Sequence, residues 1–326
     1  MLFEDPQHIL LAALVGLLLD ALVGDPAALW DRLPHPVALL GHAIAWLDRR
    51  LHVPRPRAAL LRGTALCLGV VGLAAAIGYG LTALFAALPA GALASGLAAG
   101  VLFAWGSLER HVVAVARGLE QGLEGGRNAV RHIVGRDPQA LDRHGIARAA
   151  IESLAENFSD GLVAPLFWML LLGLPGLFAA KAINTLDSML GYRTPRYLHF
   201  GRASARLDDA LNFLPARLTA LLLVAAAGLA ADADARQALR ILRRDARRHR
   251  SPNAGFPEAA TAGALGFRLS GPRSYGGVAS DEPWIGDGRA DLDAADIYRA
   301  LRLVRRAFSL LVATVAAGLV LVSASR

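Results

Sequence analysis

The run from Gly63 to Leu88, GTALCLGVVGLAAAIGYGLTALFAAL, carries no charged side chain, and beyond the Pro89-Ala90-Gly91 turn a second run, GALASGLAAGVLFAW, continues to Trp105. A helix needs roughly twenty apolar residues to cross a bilayer, and two such runs joined by a Pro-Gly turn read as a transmembrane helical hairpin. Composition agrees. The 326 residues are 55% hydrophobic and only 19% charged, and the mean hydropathy is +0.41, well above that of a soluble domain.

Working outward, Ile9 to Val23 is a shorter apolar run interrupted by Asp20. No basic leader or small-residue cleavage site accompanies it, so it is expected to stay as a membrane helix. The polar stretch from Asp25 to Arg62 and the segment from Asp232 to Arg306 are rich in arginine, which by the positive-inside rule makes them cytoplasmic. Leu108 to Ser159 reads as soluble-like and helical, with a break at Asp137-Pro138. Leu162 to Phe178 is broken by Leu174-Pro175-Gly176 and reads as re-entrant. Leu214 to Ala231 is marginal; the preferred topology has neither of these two segments crossing fully. Ala307 to Ala324 closes the chain as an apolar helix. The fold class expected is all-α: a polytopic integral membrane protein with cytoplasmic helical loops, forming one domain over residues 1–326.

The formal charge of +7 comes from arginine, since Lys181 is the only lysine. No aromatic-interleaved basic groove is present, so lipid headgroups or a small anionic substrate are better partners than nucleic acid. Cys67 stands alone, which excludes an internal disulfide and a cysteine-rich zinc site. No Walker-type loop, dinucleotide fingerprint, His-Glu-x-x-His or nucleophile elbow occurs.

Four polar constellations interrupt this apolar background. Glu152, Glu156 and Asp160 recur every four residues and on a helix share an arc of about 80°, where like charges repel unless a cation such as Mg²⁺ sits among them. A bland alternative pairs Arg148 with Glu152 and leaves the others solvated. From Lys181 to Leu190 a helical wheel puts Lys181, Asn184, Thr185, Asp187 and Ser188 on one side and Ile183, Leu186, Met189 and Leu190 on the other. Ionisable groups near membrane depth mark a site, and a lysine is a compact charge for phosphate. The alternative is a Lys181–Asp187 pair that only holds helices together.

Downstream, Arg193 lies in a turn, and Arg202, Arg206, Asp209 and Asn212 fall on one helical face with Asp208 beside them. Arginine forks suit phosphate or carboxylate; an internal Arg–Asp network is the competing reading. Ser251 to Glu258 is a turn opening a small-residue helix, whose N-terminus could take an anion, and Gly271 to Gly277 is a second flexible loop. His35, between two prolines, reads as a loop residue, and Asp20 and Asp25 as caps or metal ligands.

Together, Leu19 to Pro26 with His35-Pro36-Val37, Glu152 to Pro165, Lys181 to Tyr192, Ser204 to Asp209 and Ser251 to Glu258 resemble the CobD/CbiB family of membrane cobalamin biosynthesis proteins, adenosylcobinamide-phosphate synthases. The resemblance extends over nearly the whole chain. It implies an ATP-consuming, amide-forming step that joins the carboxylate of adenosylcobyric acid to aminopropanol phosphate, and a place in the cell (inner) membrane. The partners it implies are the corrinoid, the phosphorylated amino alcohol and the lipid bilayer, with room for a homo-oligomer or for other enzymes of the pathway.

Residue roles rest on the physical reading, not on the resemblance. Lys181, Asp187, Asp208 and Asp209 are the catalytic candidates, one of the three aspartates taking a proton from the attacking amine. Asn157, Asn184, Arg193, Arg206, Asn212, Ser251, Asn253 and Glu258 are candidate substrate contacts; Glu152, Glu156 and Asp160 are candidate Mg²⁺ ligands. A rival expectation is a non-enzymatic membrane sensor or regulator resembling the AmpE relatives of the family.

Overall fold

The computed structural model describes residues 5–134, 138–275 and 278–326. Asp137 of the expected Asp137-Pro138 break, and Gly276 and Gly277 of the second flexible loop, lie outside them. Among the described residues the chain is almost wholly helical and polytopic. Pro56–Ala86, Gly91–Gln121, Arg143–Leu190 and Ala294–Ala324 are each long and apolar enough to cross a membrane, while Arg202–Leu211 and Phe213–Gly228 pass that test only together, as a broken span or a re-entrant loop. The first apolar helix, Pro6–Leu22, is shorter.

Two compact units emerge, each from non-contiguous stretches: residues 1–104, 161–212 and 314–326 in one, and 105–160 and 213–313 in the other. In the first, Pro6–Leu22 packs chiefly on Gly91–Leu102. The seam is made of small residues, Ala12, Ala13 and Gly16 against Gly96, Ala99 and Gly100, which let helix backbones approach where lipid supplies no hydrophobic drive. The hairpin partner Pro56–Ala86 instead lies along Ala164–Leu190. That last segment is broken as the Leu174-Pro175-Gly176 signal predicts: Gly173, with φ 67° and ψ -154°, leaves helical space, and a second helix runs on to Leu190. Leu174 and Pro175 lie directly over Gly78, where a Cβ would come within 2.7 Å of their backbone.

Around the far end of this helix a core forms from Ile44, Ala59, Leu66, Cys67, Leu186, Leu190 and Phe200. The helix Pro36–Leu51 is fastened to it through Asp48, a buried carboxylate that accepts from Arg196 at 2.8 Å and from the Tyr197 hydroxyl at 3.1 Å. His35 caps the start of that helix by accepting from the Val37 amide at 3.2 Å.

The second unit is built as a soluble domain would be. Trp105–Gln121 is amphipathic and buries Val112, Val115, Ala116 and Leu119 against Leu123–Val130 and Arg143–Phe158. Gly255–Leu265, buried on every side, packs between Ala235–Asp245, Phe213–Gly228 and Arg143–Phe158. Two small antiparallel ladders, which the sequence reading did not anticipate, complete it: Leu269–Ser270 with Trp284–Ile285, in the register Leu269 to Ile285, and Arg273–Tyr275 with Val278–Ser280.

Buried carboxylates lock this unit. Asp245, fully buried, takes a fork of hydrogen bonds from Arg244 at 2.7 and 2.6 Å and another from the Gly286 amide at 2.9 Å. Burial pushes its acidity down, but these donors and the Arg248 charge outweigh it and hold the carboxyl below the usual carboxylate range. Asp296, 1% exposed, is gripped by Arg289 and by Arg299, the latter at 3.3 Å.

Candidate active site

In the first unit the charged residues gather at the end of Ala164–Leu190. Lys181 is half-buried, and Asp20 and Asp25 from the chain around the first helix act on it electrostatically. Asp25 in turn lies 3.5 Å from His35 Nε2. The two aspartates are thus partners of the only lysine, a link that needed the fold to become visible. Asn184 and Asp187 are half-buried beside Lys181, while Ile183, Leu186 and Leu190 are buried, as the helical wheel predicts. Thr185 departs from it: the side chain is buried and donates to the Lys181 carbonyl at 2.7 Å.

Asp187 and Asp209 are near enough to repel one another, and Arg193 acts on Asp209. The chain between them is folded tightly. Gly201 lies where a Cβ would stand 1.7 Å from the Leu190 carbonyl oxygen, so only glycine allows the 191–201 turn to close on the end of the helix. That turn and Arg202–Leu211 border an open cavity of about 480 Å³ lined by Arg193, Arg206 and Asp209, and also by Tyr192, His199 and Arg202. The last three had not been singled out as substrate contacts; Arg202 had a signal in its four-residue spacing from Arg206, Tyr192 and His199 had none.

Asn212 does not share the face of Arg206 and Asp209. It caps the C-terminus of Arg202–Leu211, where the chain bends, and its side-chain amide donates to Asp208 Oδ2 at 2.9 Å with both residues buried. The reason is that the helix ends at Leu211, so its phase does not carry on to Asn212.

The remaining candidates belong to the second unit. Glu152 and Glu156 lie one turn apart on Arg143–Phe158, but the helix then widens into a π turn over Ser159–Val163. Asp160 sits in that turn, so the even four-residue ladder expected of the three acids stops at Glu156. π turns recur at functional sites. Glu152 is buried and accepts from the Ser270 amide at 2.8 Å. Ser270 is itself held at φ 61°, a conformation a non-glycine residue keeps only when its surroundings enforce it. Its hydroxyl is 3.5 Å from Glu282, which lies 3.6 Å from Arg250.

Asn157 donates to the Ser153 carbonyl and hydroxyl at 2.9 and 3.0 Å. Ser251 Oγ accepts from the amides of Asn253 and Ala254, both at 3.2 Å. Asn253, buried, accepts from Arg217 at 3.2 Å, and that guanidinium stacks over Phe213 and Phe256. Glu258, also buried, is 3.8 Å from His249. The turn is therefore a braced structure whose Ser251 hydroxyl caps its own backbone.

Among the described residues no three His, Cys, Asp or Glu side chains converge as a metal cage. Mg²⁺ seldom asks for one: it takes one or two carboxylates together with water and substrate phosphate oxygens. Of the trio, Glu152 is engaged by the Ser270 amide.

The sequence as a whole matches the family model described as CobD/Cbib protein over residues 13–304. The chain belongs to the CobD/CbiB family. Relatives include the cobalamin biosynthesis protein CobD of Brucella anthropi, 50% identical over 310 residues, covering 93% of this chain and 94% of the relative. The namesake protein of a Sinorhizobium species is 52% identical over 297 residues, or 89% and 92% of the two chains. That of Rhodobacter capsulatus is 49% identical over 296 residues, or 90% and 92%. No solved structure matches. CobD/CbiB membership thus covers both compact units and every candidate residue named above.

Proposed function

We propose that the protein is an ATP-dependent amide-forming ligase of cobalamin biosynthesis in the cell membrane, joining the carboxylate of adenosylcobyric acid to the amine of aminopropanol phosphate to give adenosylcobinamide phosphate. What carries the reading is the gathering, in one unit of a CobD/CbiB member, of Asp187, Asp209, Arg193 and Arg206 around the end of one helix and its adjoining cavity, with Lys181 further back on the same helix beside Asp20 and Asp25.

A carboxylate is a poor acyl donor, so ATP first transfers its γ-phosphoryl group to a carboxylate oxygen, releasing ADP. The amine then attacks the carbonyl, its proton passes to a base, and phosphate leaves with the former carboxylate oxygen. Negative charge builds on the phosphoryl and then the carbonyl oxygens, and Lys181 with Arg206 stabilises it. Of the three candidate bases we favour Asp209, because it lines the cavity, whereas Asp208 is engaged by Asn212. Mg²⁺ brought in with ATP would neutralise the phosphates.

Purified protein in detergent, given adenosylcobyric acid, aminopropanol phosphate, ATP and Mg²⁺, should form the amide with one ADP released per product. Corrinoid binding with no amide formed and no ATP consumed would reject the ligase in favour of a sensor.

A further inference from the structure

We propose that the cavity between the 191–201 turn and Arg202–Leu211 is a binding site for the phosphate group of a small soluble molecule, with Arg202 and His199 as contacts additional to Arg193 and Arg206. The lining sets three guanidinium groups against one carboxylate, that of Asp209. Arginine does not titrate away its charge, so the cavity stays cationic at any physiological pH.

The arrangement also favours an anion over a cation, although the arginines are exposed and each effect is small. Arg202 and Arg206 stand one turn apart on the same helix, where like charges repel. Arg202 is the first residue of that helix, its first turn holds no acidic residue, and no side chain caps it. The amide ends of a helix favour negative charge and disfavour a cation. A phosphate removes both penalties at once: its oxygens take paired N–H donors from the arginines, and its charge suits the helix start. Gly201, pressed against the Leu190 carbonyl, fixes the turn at close quarters, so the cavity is formed before a ligand arrives. A volume of about 480 Å³ is in the range of small-molecule sites, roughly 300–1,000 Å³, and accommodates a phosphate with a short organic chain or the phosphate chain of a nucleotide.

Which of these carriers it holds rests on the reaction proposed above, since both the amino-alcohol phosphate and ATP bring a phosphate; the cationic cavity does not. The test uses the full chain in phosphatidylcholine nanodiscs, with O-phosphoethanolamine, ATP, inorganic phosphate and unphosphorylated ethanolamine as probes. O-phosphoethanolamine or ATP should bind and be displaced by inorganic phosphate, ethanolamine should not bind, and Arg202→Gln, Arg206→Gln and Arg193→Gln should each weaken binding about tenfold or more. Binding that is unchanged in all three variants, or absent for every soluble phosphate, overturns the assignment. So does arginine-dependent binding seen only with phosphatidylglycerol vesicles, which would make the site one for lipid headgroups. The two proposals fail separately: amide formation with unchanged KM for both phosphorylated substrates in the variants would sink the cavity and spare the reaction. Phosphate binding without amide formation would do the reverse.

Discussion

The second compact unit and the charged cluster at the end of Ala164–Leu190 in the first handle charge in opposite ways. In the second, Asp245 and Asp296 each receive hydrogen bonds from guanidinium groups and backbone amides, so each charge is compensated where it stands. In the first, Asp187 and Asp209 are set near enough to repel, and Lys181, half-buried, faces Asp20 and Asp25 rather than either of them. Compensated charges make a fold unique; charges left in mutual tension beside a cavity are what a reaction needs. Substitution should therefore separate the units, with activity lost in the first and stability in the second.

The largest effect is expected at Lys181. Lys181→Arg keeps the positive charge among the aspartates but replaces a compact ammonium with a planar fork, and amide turnover should fall by about 10²- to 10³-fold in steady-state assays. Turnover near that of the unaltered protein would place Lys181 among the structural charges and break the comparison. Next, Asp245→Ala strands the Gly286 amide and leaves Arg244 with Asp287 alone, and should cost about 1–3 kcal/mol of stability, read as a lower thermal midpoint. An unchanged midpoint would show that the second unit does not depend on its buried carboxylates.

The comparison can be sharpened with pH. Asp245, Asp287 and Asp232 are all held below the ordinary carboxylate range, Asp245 despite its burial and the other two chiefly by hydrogen bonds from Arg244 and Arg306. A depressed carboxyl stabilises the fold fully above its unfolded value of about 4 and ceases to do so as pH falls through the lower folded value. Thermal midpoints should drop below about pH 4, and Asp245→Asn should flatten that drop. The smallest effect is expected at Ser251: its hydroxyl caps its own turn, so Ser251→Ala should cost about 1 kcal/mol and leave ligand affinity unchanged. A change in affinity would restore it as a substrate contact.

Much of this was legible in the chain. Long uncharged runs dictate spanning helices whatever they pack against, and the amphipathic period from Lys181 to Leu190 survives folding nearly intact. The break announced by Leu174-Pro175-Gly176 is present, one residue earlier, at Gly173, and a second helix follows it to Leu190. A π turn has no sequence signature of its own, so the position of Asp160 could not be read from spacing. The partnership of Lys181 with Asp20 and Asp25 joins positions far apart in sequence, and the small ladder at Ser270 depends on the buried Glu152. Neither is encoded in any local pattern.

The most direct test of the contrast is Asp209→Asn, with amide turnover and thermal midpoint measured on the same preparation. Removing one of two repelling carboxylates should leave the midpoint equal or slightly higher while turnover falls about 100-fold or more. Turnover that persists, or a midpoint that collapses while the activity of the remaining folded protein is unaltered, would mean that Asp209 holds the structure together and that the charged cluster of the first unit is not a catalytic one.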